Sequence, residues 1–151
     1  MNFENDIKNI SLDGFQLVKC KYFSRMSEPV MSLFPTAISF SVAAHEALNR
    51  CESIEILVNE KKKSILVKPS LSAKDSEAVK WQRGKEKPKY SRIECSIFTK
   101  KLYSIWKLDN KMTYKSMGKV VQCDKKVMLL FEFSDAEIWE GSKLVKENGQ
   151  I

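Results

Sequence analysis

The residues best suited to chemistry in this sequence are the lysines and arginines of one loop. Residues 81–92 read WQRGKEKPKYSR, with five basic residues, one acidic residue, and an aromatic residue near each end. Basic side chains attract phosphates whatever the base sequence, and aromatic rings can stack on exposed bases. The pattern therefore predicts a surface that contacts nucleic acid. The predicted contact residues are Lys80, Trp81, Arg83, Lys85, Lys87, Lys89, Tyr90 and Arg92, extended by Lys100, Lys101 and Lys107 on a following helix.

The positive charge of the chain is concentrated in one region. The formal net charge is +7, but residues 59–107 alone hold fourteen basic and five acidic residues, a local net of +9. A regional excess is what an electrostatic footprint requires, although a solvated surface of lysines would look the same in sequence. Trp81 also has a second interpretation, which we favour for this residue: a hydrophobic anchor that pins the loop to the core.

Catalytic and metal chemistry find little support in the sequence. The single histidine, His45, lies next to Glu46 in a predicted helix, where adjacent side chains do not face each other, so we expect a surface or half-buried residue. The glycines form no nucleotide-binding fingerprint, and we predict neither an enzyme nor a cofactor. The cysteines lack zinc-ligand spacing, so we predict no metal site. We expect four free thiols that pack as small hydrophobic residues, namely Cys20, Cys51, Cys95 and Cys123.

The length and composition bound the class of protein. A chain of 151 residues is the size of one domain, and 43% hydrophobic residues is a globular composition. No apolar run approaches the ~20 residues that span a bilayer, and the first residues do not resemble a secretory signal. We therefore expect a cytoplasmic protein with no membrane association.

One order of elements occurs twice along the chain. In the first unit an extended ISFS leads into a helix at about 42–50, which Ser41 is placed to cap, and a hairpin turns near Lys62. In the second unit IECS leads into a helix at about 97–107, with Ser96 in the capping position. Its hairpin turns near Asp124. Two strands are predicted before these units, in FQLVKCKYF and VMSLF.

These elements predict an α+β fold, a single domain over residues 13–140. Its mainly antiparallel sheet has six or seven strands, and both helices cover one face. Residues 1–12 and 141–151 are predicted tails, and 69–92 is the basic loop. A capping-box pattern, Ser134-x-x-Glu137, predicts a short helix through AEIWEGSKLV.

Two resemblances add expectations to this interpretation. The stretches ISFSVAAHEALN, IEILVNEKKKSILVKP, CSIFTKKLYSIW and VMLLFEF, with the tryptophan of AVKW and with YKSMGKVV, resemble small proteins of phages and integrative elements of Gram-positive bacteria. That resemblance implies a role in the biology of a mobile element without a defined activity. The repeated strand–helix–hairpin order is similar to the repeats of the TATA-binding-protein fold. However, no paired phenylalanines stand where such a protein would wedge apart base steps.

Two functions stay open from the sequence. The first is a non-enzymatic accessory or regulatory protein that binds nucleic acid, DNA more than RNA. The second is a protein–protein interaction module without nucleic-acid binding. A continuous positive face would favour the first function, and an exposed apolar patch would favour the second.

Overall fold

The computed structural model of the protein describes residues 8–18, 28–70, 77–82 and 92–146. These residues form ten strands and two helices. The strands are β1 (Val30–Leu33), β2 (Ala37–Phe40), β3 (Ser53–Asn59), β4 (Ser64–Ser70), β5 (Val79–Lys80), β6 (Ile93–Glu94), β7 (Thr113–Cys123), β8 (Lys126–Glu132), β9 (Glu137–Glu140) and β10 (Lys143–Lys146). The helices are α1 (Val42–Ala47) and α2 (Ser96–Ile105).

The strands make one curled antiparallel sheet. Its main path runs β5–β3–β4–β8–β7–β1–β2–β6, while β9 pairs with β7 and β10 pairs with β9. The sheet bends into a half-barrel, which confirms the predicted α+β class with a dominant antiparallel sheet. The sheet has ten strands in the described part of the chain, more than the six or seven predicted, because the short strands β5, β6, β9 and β10 carry weak patterns of their own.

The two strand–helix–hairpin units are present in the predicted order. The first hairpin turns at residues 60–63 and the second at 124–125, which confirms both turn positions. The units also pair with each other, because β2 lies antiparallel to β6 and β4 lies antiparallel to β8. Ile38 and Ile93, the matching isoleucines of the two units, stand directly opposite each other.

The two helices begin differently. The Ser41 hydroxyl accepts from the backbone N–H of Ala44 at 3.3 Å, as predicted for the cap of α1. The prediction for α2 was wrong by one residue: the cap position is Cys95, and Ser96 is the first helical residue. No side chain in the described part of the chain caps this end. The Thr99 hydroxyl instead donates to the Pro35 carbonyl at 2.8 Å, which ties the first turn of α2 to the chain before β2.

The core lies between the sheet and both helices. Alternate strand residues point to one face, so Leu33, Ile65 and Phe131 are fully buried there. Leu48 from the C-terminal cap of α1 and Tyr103 of α2 belong to the same cluster of buried side chains. Both helices therefore pack on the same face, as predicted. No helix in the described residues is long and apolar enough to cross a membrane.

The C-terminal region corrects one prediction. The expected helix through AEIWEGSKLV is instead the hairpin β9–β10, turning at Gly141 with φ +59°. The alternation in EIWE suits a strand, and β7 offers an open edge on which Ile138 stands opposite Tyr114. The ladder formed with β7 outweighs a local capping box. The domain therefore continues to at least Lys146, and the predicted tail at 141–151 begins too early.

The predicted N-terminal strand is also absent over its described residues, 15–18. Residues 15–18 of FQLVKCKYF are irregular, and Leu17 is 90% exposed. The remaining letters of that segment, and most of the predicted tail at 1–12, lie outside the described residues.

Candidate nucleic-acid interface

Trp81 is an anchor in the core. Its indole N–H donates to the Cys51 carbonyl at 2.6 Å, and its ring meets Phe40 edge-on with centroids 5.1 Å apart. The residue is only 2% exposed, so its ring offers no face on which a base could stack. The anchor interpretation holds for Trp81, and its predicted place among the contact residues does not.

His45 stacks against this anchor, with ring centroids 3.9 Å apart. It is 1% exposed, so the expectation of a surface or half-buried residue was wrong. Trp81 follows β5, 36 positions later in the chain, and covers this side of α1. Burial lowers the pKa of His45 to about 4 and keeps the imidazole neutral at neutral pH. His45 therefore adds no charge to a phosphate-binding surface.

The structure separates the other predicted loop residues. Lys80 is exposed on β5, opposite Ser53, and Arg92 stands just before β6, at the other end of the strand order. The Arg92 guanidinium lies 3.1 Å from the Glu94 carboxylate, in an exposed ion pair, and 4.6 Å above the Phe34 ring. Five predicted contact residues lie outside the described residues: Arg83, Lys85, Lys87, Lys89 and Tyr90.

The three predicted lysines of the second unit lie together on the exposed side of α2. Lys100 and Lys101 point away from the buried Leu102, and Lys107 follows the end of the helix. No acidic residue occurs between Ser96 and Lys107. The helix buries one side in the core and presents a positive side to solvent.

The turn between β3 and β4 brings a second group of lysines to the end of α2. The indole N–H of Trp106 donates to the Glu60 carbonyl at 3.2 Å, and the Phe133 N–H donates to the Lys63 carbonyl at 2.8 Å. The Trp106 and Phe133 rings are 5.8 Å apart and hold these contacts together. We call the combined set the basic surface: Lys61, Lys62, Lys63, Lys100, Lys101 and Lys107.

The six ammonium groups of the basic surface have no counter-ions among the described residues. The ion pairs found there join Arg50 to Glu46, Lys68 to Glu55, Arg92 to Glu94, and Lys119 to Glu132. Two carboxylates stand close along the chain, Glu60 and Asp109, and Asp109 accepts from the Lys111 N–H at 2.9 Å. The surface therefore keeps most of its charge for a ligand.

Lys107 is held in an unusual conformation. Its φ is +54°, a left-handed backbone that glycine or asparagine normally occupies after a helix. The Lys107 N–H donates to the Ser104 carbonyl at 3.3 Å, and the Leu108 N–H donates to the Tyr103 carbonyl at 2.8 Å. These two bonds close the helix in a Schellman motif and fix where the Lys107 side chain leaves the surface.

The cysteines are only partly core residues. Cys51 and Cys95 are half-buried free thiols, and burial raises the pKa of each, so both stay protonated at neutral pH. Cys123 is an exposed free thiol beside the second hairpin turn, which contradicts the expectation of a packed side chain. Cys20 lies outside the described residues. Within the described ranges no cluster of histidine, cysteine or carboxylate side chains could hold a metal ion.

Comparison of this chain with known proteins identifies no relative. The chain shows no significant match to a protein-family model, to a curated protein or to a solved structure.

The turn lysines were missed as site residues at the sequence level. Lys61–Lys63 lie in the region of positive charge, but the local pattern predicts only a hairpin turn there. The run itself was the available signal. Its position was not available, because the contact between Trp106 and Glu60 joins residues 46 positions apart.

Proposed function

We propose that this protein is a non-enzymatic nucleic-acid-binding protein that uses the basic surface to contact the phosphate backbone. DNA is the expected ligand ahead of RNA. The resemblance to phage and integrative-element proteins favours a cytoplasmic accessory or regulatory role in a mobile element.

The observation that carries this proposal is the convergence of two lysine groups from different units. Trp106 and Phe133 bring the β3–β4 turn against the end of α2, and the six lysines there have no ion pair among the described residues. When unpaired ammonium groups contact phosphates, counterions are released from the nucleic acid, and this release favours binding. Lysines that serve only as a solvated surface would not need to be brought together from two units.

The helix dipole works against this function at one point. The C-terminal end of α2 carries partial negative charge, which stabilises a nearby cation such as Lys107 by about 0.3–1 kcal/mol and disfavours an anion by a similar amount. Two of its carbonyls already accept from the Lys107 and Leu108 N–H groups. Three lysines on or beside the helix, with three more on the turn, outweigh a fractional charge of about half a unit.

A fluorescence-anisotropy titration tests the proposal directly. Duplex DNA, single-stranded DNA and RNA of unrelated sequences are titrated at several salt concentrations. We expect binding that depends little on base sequence and weakens with salt, with log K falling by about 0.9 per phosphate contact in log salt on duplex DNA and about 0.7 on single strands. Six contacts would give a duplex slope near 5. Absence of salt-dependent binding to all three ligands would refute the function.

An exposed apolar component on the same helix supports a second candidate, a protein-interaction module. Ile97 is 78% exposed and Ile105 is 47% exposed, and both lie on the solvent side of α2 beside Lys101. Exposed apolar residues set among lysines suit an acidic protein partner. Replacing Ile97 and Ile105 by serine would abolish such an interaction and would leave salt-dependent DNA binding nearly unchanged.

A further inference from the structure

A groove with a few polar donors on its walls runs along one flank of the basic surface. It lies between the Pro35–Thr36 turn and the C-terminal half of α2 and has a volume of about 650 Å³, within the range of about 300–1,000 Å³ typical of small-ligand sites. The groove is lined by Pro35, Thr36, Lys100, Tyr103, Ser104, Lys107, Leu108 and Asn110.

The donors of this groove suit an anion. Lys100 and Lys107 supply two ammonium groups, and Thr36, Ser104 and Asn110 supply two hydroxyls and an amide. No carboxylate lines the groove among the described residues, although Asp109 is adjacent in the chain. Phosphate oxygens accept from all of these donors.

The remaining polar groups of the groove are already occupied, which keeps its walls rigid. The Tyr103 hydroxyl lies 2.9 Å from the Leu33 carbonyl and 2.7 Å from the Met112 carbonyl, so its ring forms the floor and its hydroxyl is turned inward. The Thr99 hydroxyl ties the Pro35 carbonyl to α2 at 2.8 Å. The Thr36 and Ser104 side chains make no hydrogen bond to any described residue, so both hydroxyls are available to a ligand.

We propose that this groove is the seat of one phosphodiester of the bound nucleic acid, with Lys100 and Lys107 contacting its charge and Thr36 and Ser104 donating hydrogen bonds to its oxygens. The inference rests on the proposed function and adds a fixed point of contact to it. The size of the groove leaves room for the sugar next to the phosphate. This seat would set how the strand lies across the basic surface, whereas the turn lysines would contribute charge without fixing position.

The decisive variant removes the neutral donors and leaves the charge unchanged. The double substitution Thr36→Val with Ser104→Ala is compared with Ser96→Ala and Ser142→Ala, two exposed serines outside the groove. We expect the groove variant to bind duplex DNA about 5-fold to 30-fold more weakly with the same salt slope, since it loses one or two hydrogen bonds and no charge. The serine controls should bind like the parent protein. A urea-unfolding curve that matches that of the parent shows that the groove variant is folded.

Competition with inorganic phosphate, against chloride at matched ionic strength, gives a second measurement. Phosphate should displace DNA from the parent more effectively than chloride, and this advantage should be smaller for the groove variant. A variant that binds DNA and responds to phosphate like the parent would overturn the groove proposal and leave the proposed function intact. A parent with no salt-dependent binding would overturn both.

Discussion

Lys107 and Asn49 occupy equivalent positions at the ends of the two helices. Each is the residue after the C-cap, and their φ angles are +54° and +55°. Each end closes with the same pair of backbone bonds. In the first unit the Asn49 N–H donates to the Glu46 carbonyl and the next N–H donates to the His45 carbonyl; in the second the Lys107 N–H donates to the Ser104 carbonyl and the next N–H to the Tyr103 carbonyl. Asparagine tolerates a left-handed backbone and lysine does so less readily. The second unit therefore keeps a lysine at a position that costs conformational energy.

The substitution Lys107→Gly separates binding from stability. Glycine relieves backbone strain, which stabilises the folded state by about 1–2 kcal/mol. Two effects oppose this gain: the higher entropy of the unfolded chain, about 0.4–1 kcal/mol, and the lost interaction with the helix dipole, about 0.3–1 kcal/mol. We expect the free energy of unfolding, measured in urea, to stay within about 0.5 kcal/mol of the parent, while DNA affinity falls and the salt slope drops by about 0.9. Asn49→Gly is the control and should leave binding unchanged. Unchanged binding in Lys107→Gly would remove this lysine from the interface.

Substitutions at Trp81 test its role as an anchor. Trp81→Phe keeps most ring contacts but loses the bond to the Cys51 carbonyl, so we expect a loss of about 1–3 kcal/mol in the free energy of unfolding. Trp81→Ala should cost about 3–5 kcal/mol because it leaves a large cavity. DNA affinity of the folded Trp81→Phe protein should equal that of the parent. Weaker binding without a change in stability would show that the ring stacks on a base instead.

The buried His45 predicts a loss of stability in acid. Its pKa is lowered to about 4 in the folded state, against about 6.5 in the unfolded chain, so protons bind the unfolded state first as pH falls. The neutral, buried His45 therefore contributes to the free energy of unfolding fully above about pH 6.5. This contribution, at most about 3 kcal/mol, is lost as the pH falls from about 6.5 to 4.

Urea unfolding of the parent and of His45→Gln across that pH range isolates the effect, because the carboxylates titrate in both proteins. The parent should lose more stability toward acid than the variant. Parallel curves for the two proteins would contradict the depressed pKa of His45.

The loop lysines make a prediction that rests on sequence alone. Replacing Arg83, Lys85, Lys87 and Lys89 by alanine should weaken binding similarly for every DNA sequence and reduce the salt slope by about 0.9 per lost contact. Stability should change by less than about 0.5 kcal/mol. The charge-matched control replaces four exposed lysines elsewhere: Lys125, Lys126, Lys143 and Lys146. Equal effects from the two quadruple variants would show that net charge, and no particular loop, governs binding.

Local patterns were sufficient where one segment settles its own structure. Ser41 precedes a helix-forming stretch, and its hydroxyl caps that helix because the bond spans only three residues. Both long hairpins turn where polar residues interrupt alternating apolar runs. The same logic failed at Ser134 and Glu137, because the open edge of β7 offered a ladder that no local pattern reveals.

The α+β class, the repeated order of elements and the regional excess of positive charge follow from short-range periodicity and composition, which can be read along the chain. Which charged and aromatic side chains face solvent depends instead on how distant segments pack. Trp81 is buried in the core, where its ring packs against His45. Lys61–Lys63 lie near the end of α2 because the Trp106 indole N–H binds the Glu60 carbonyl. Burial and long-range hydrogen bonds depend on how distant segments pack, and that packing has no signature in the neighbouring residues.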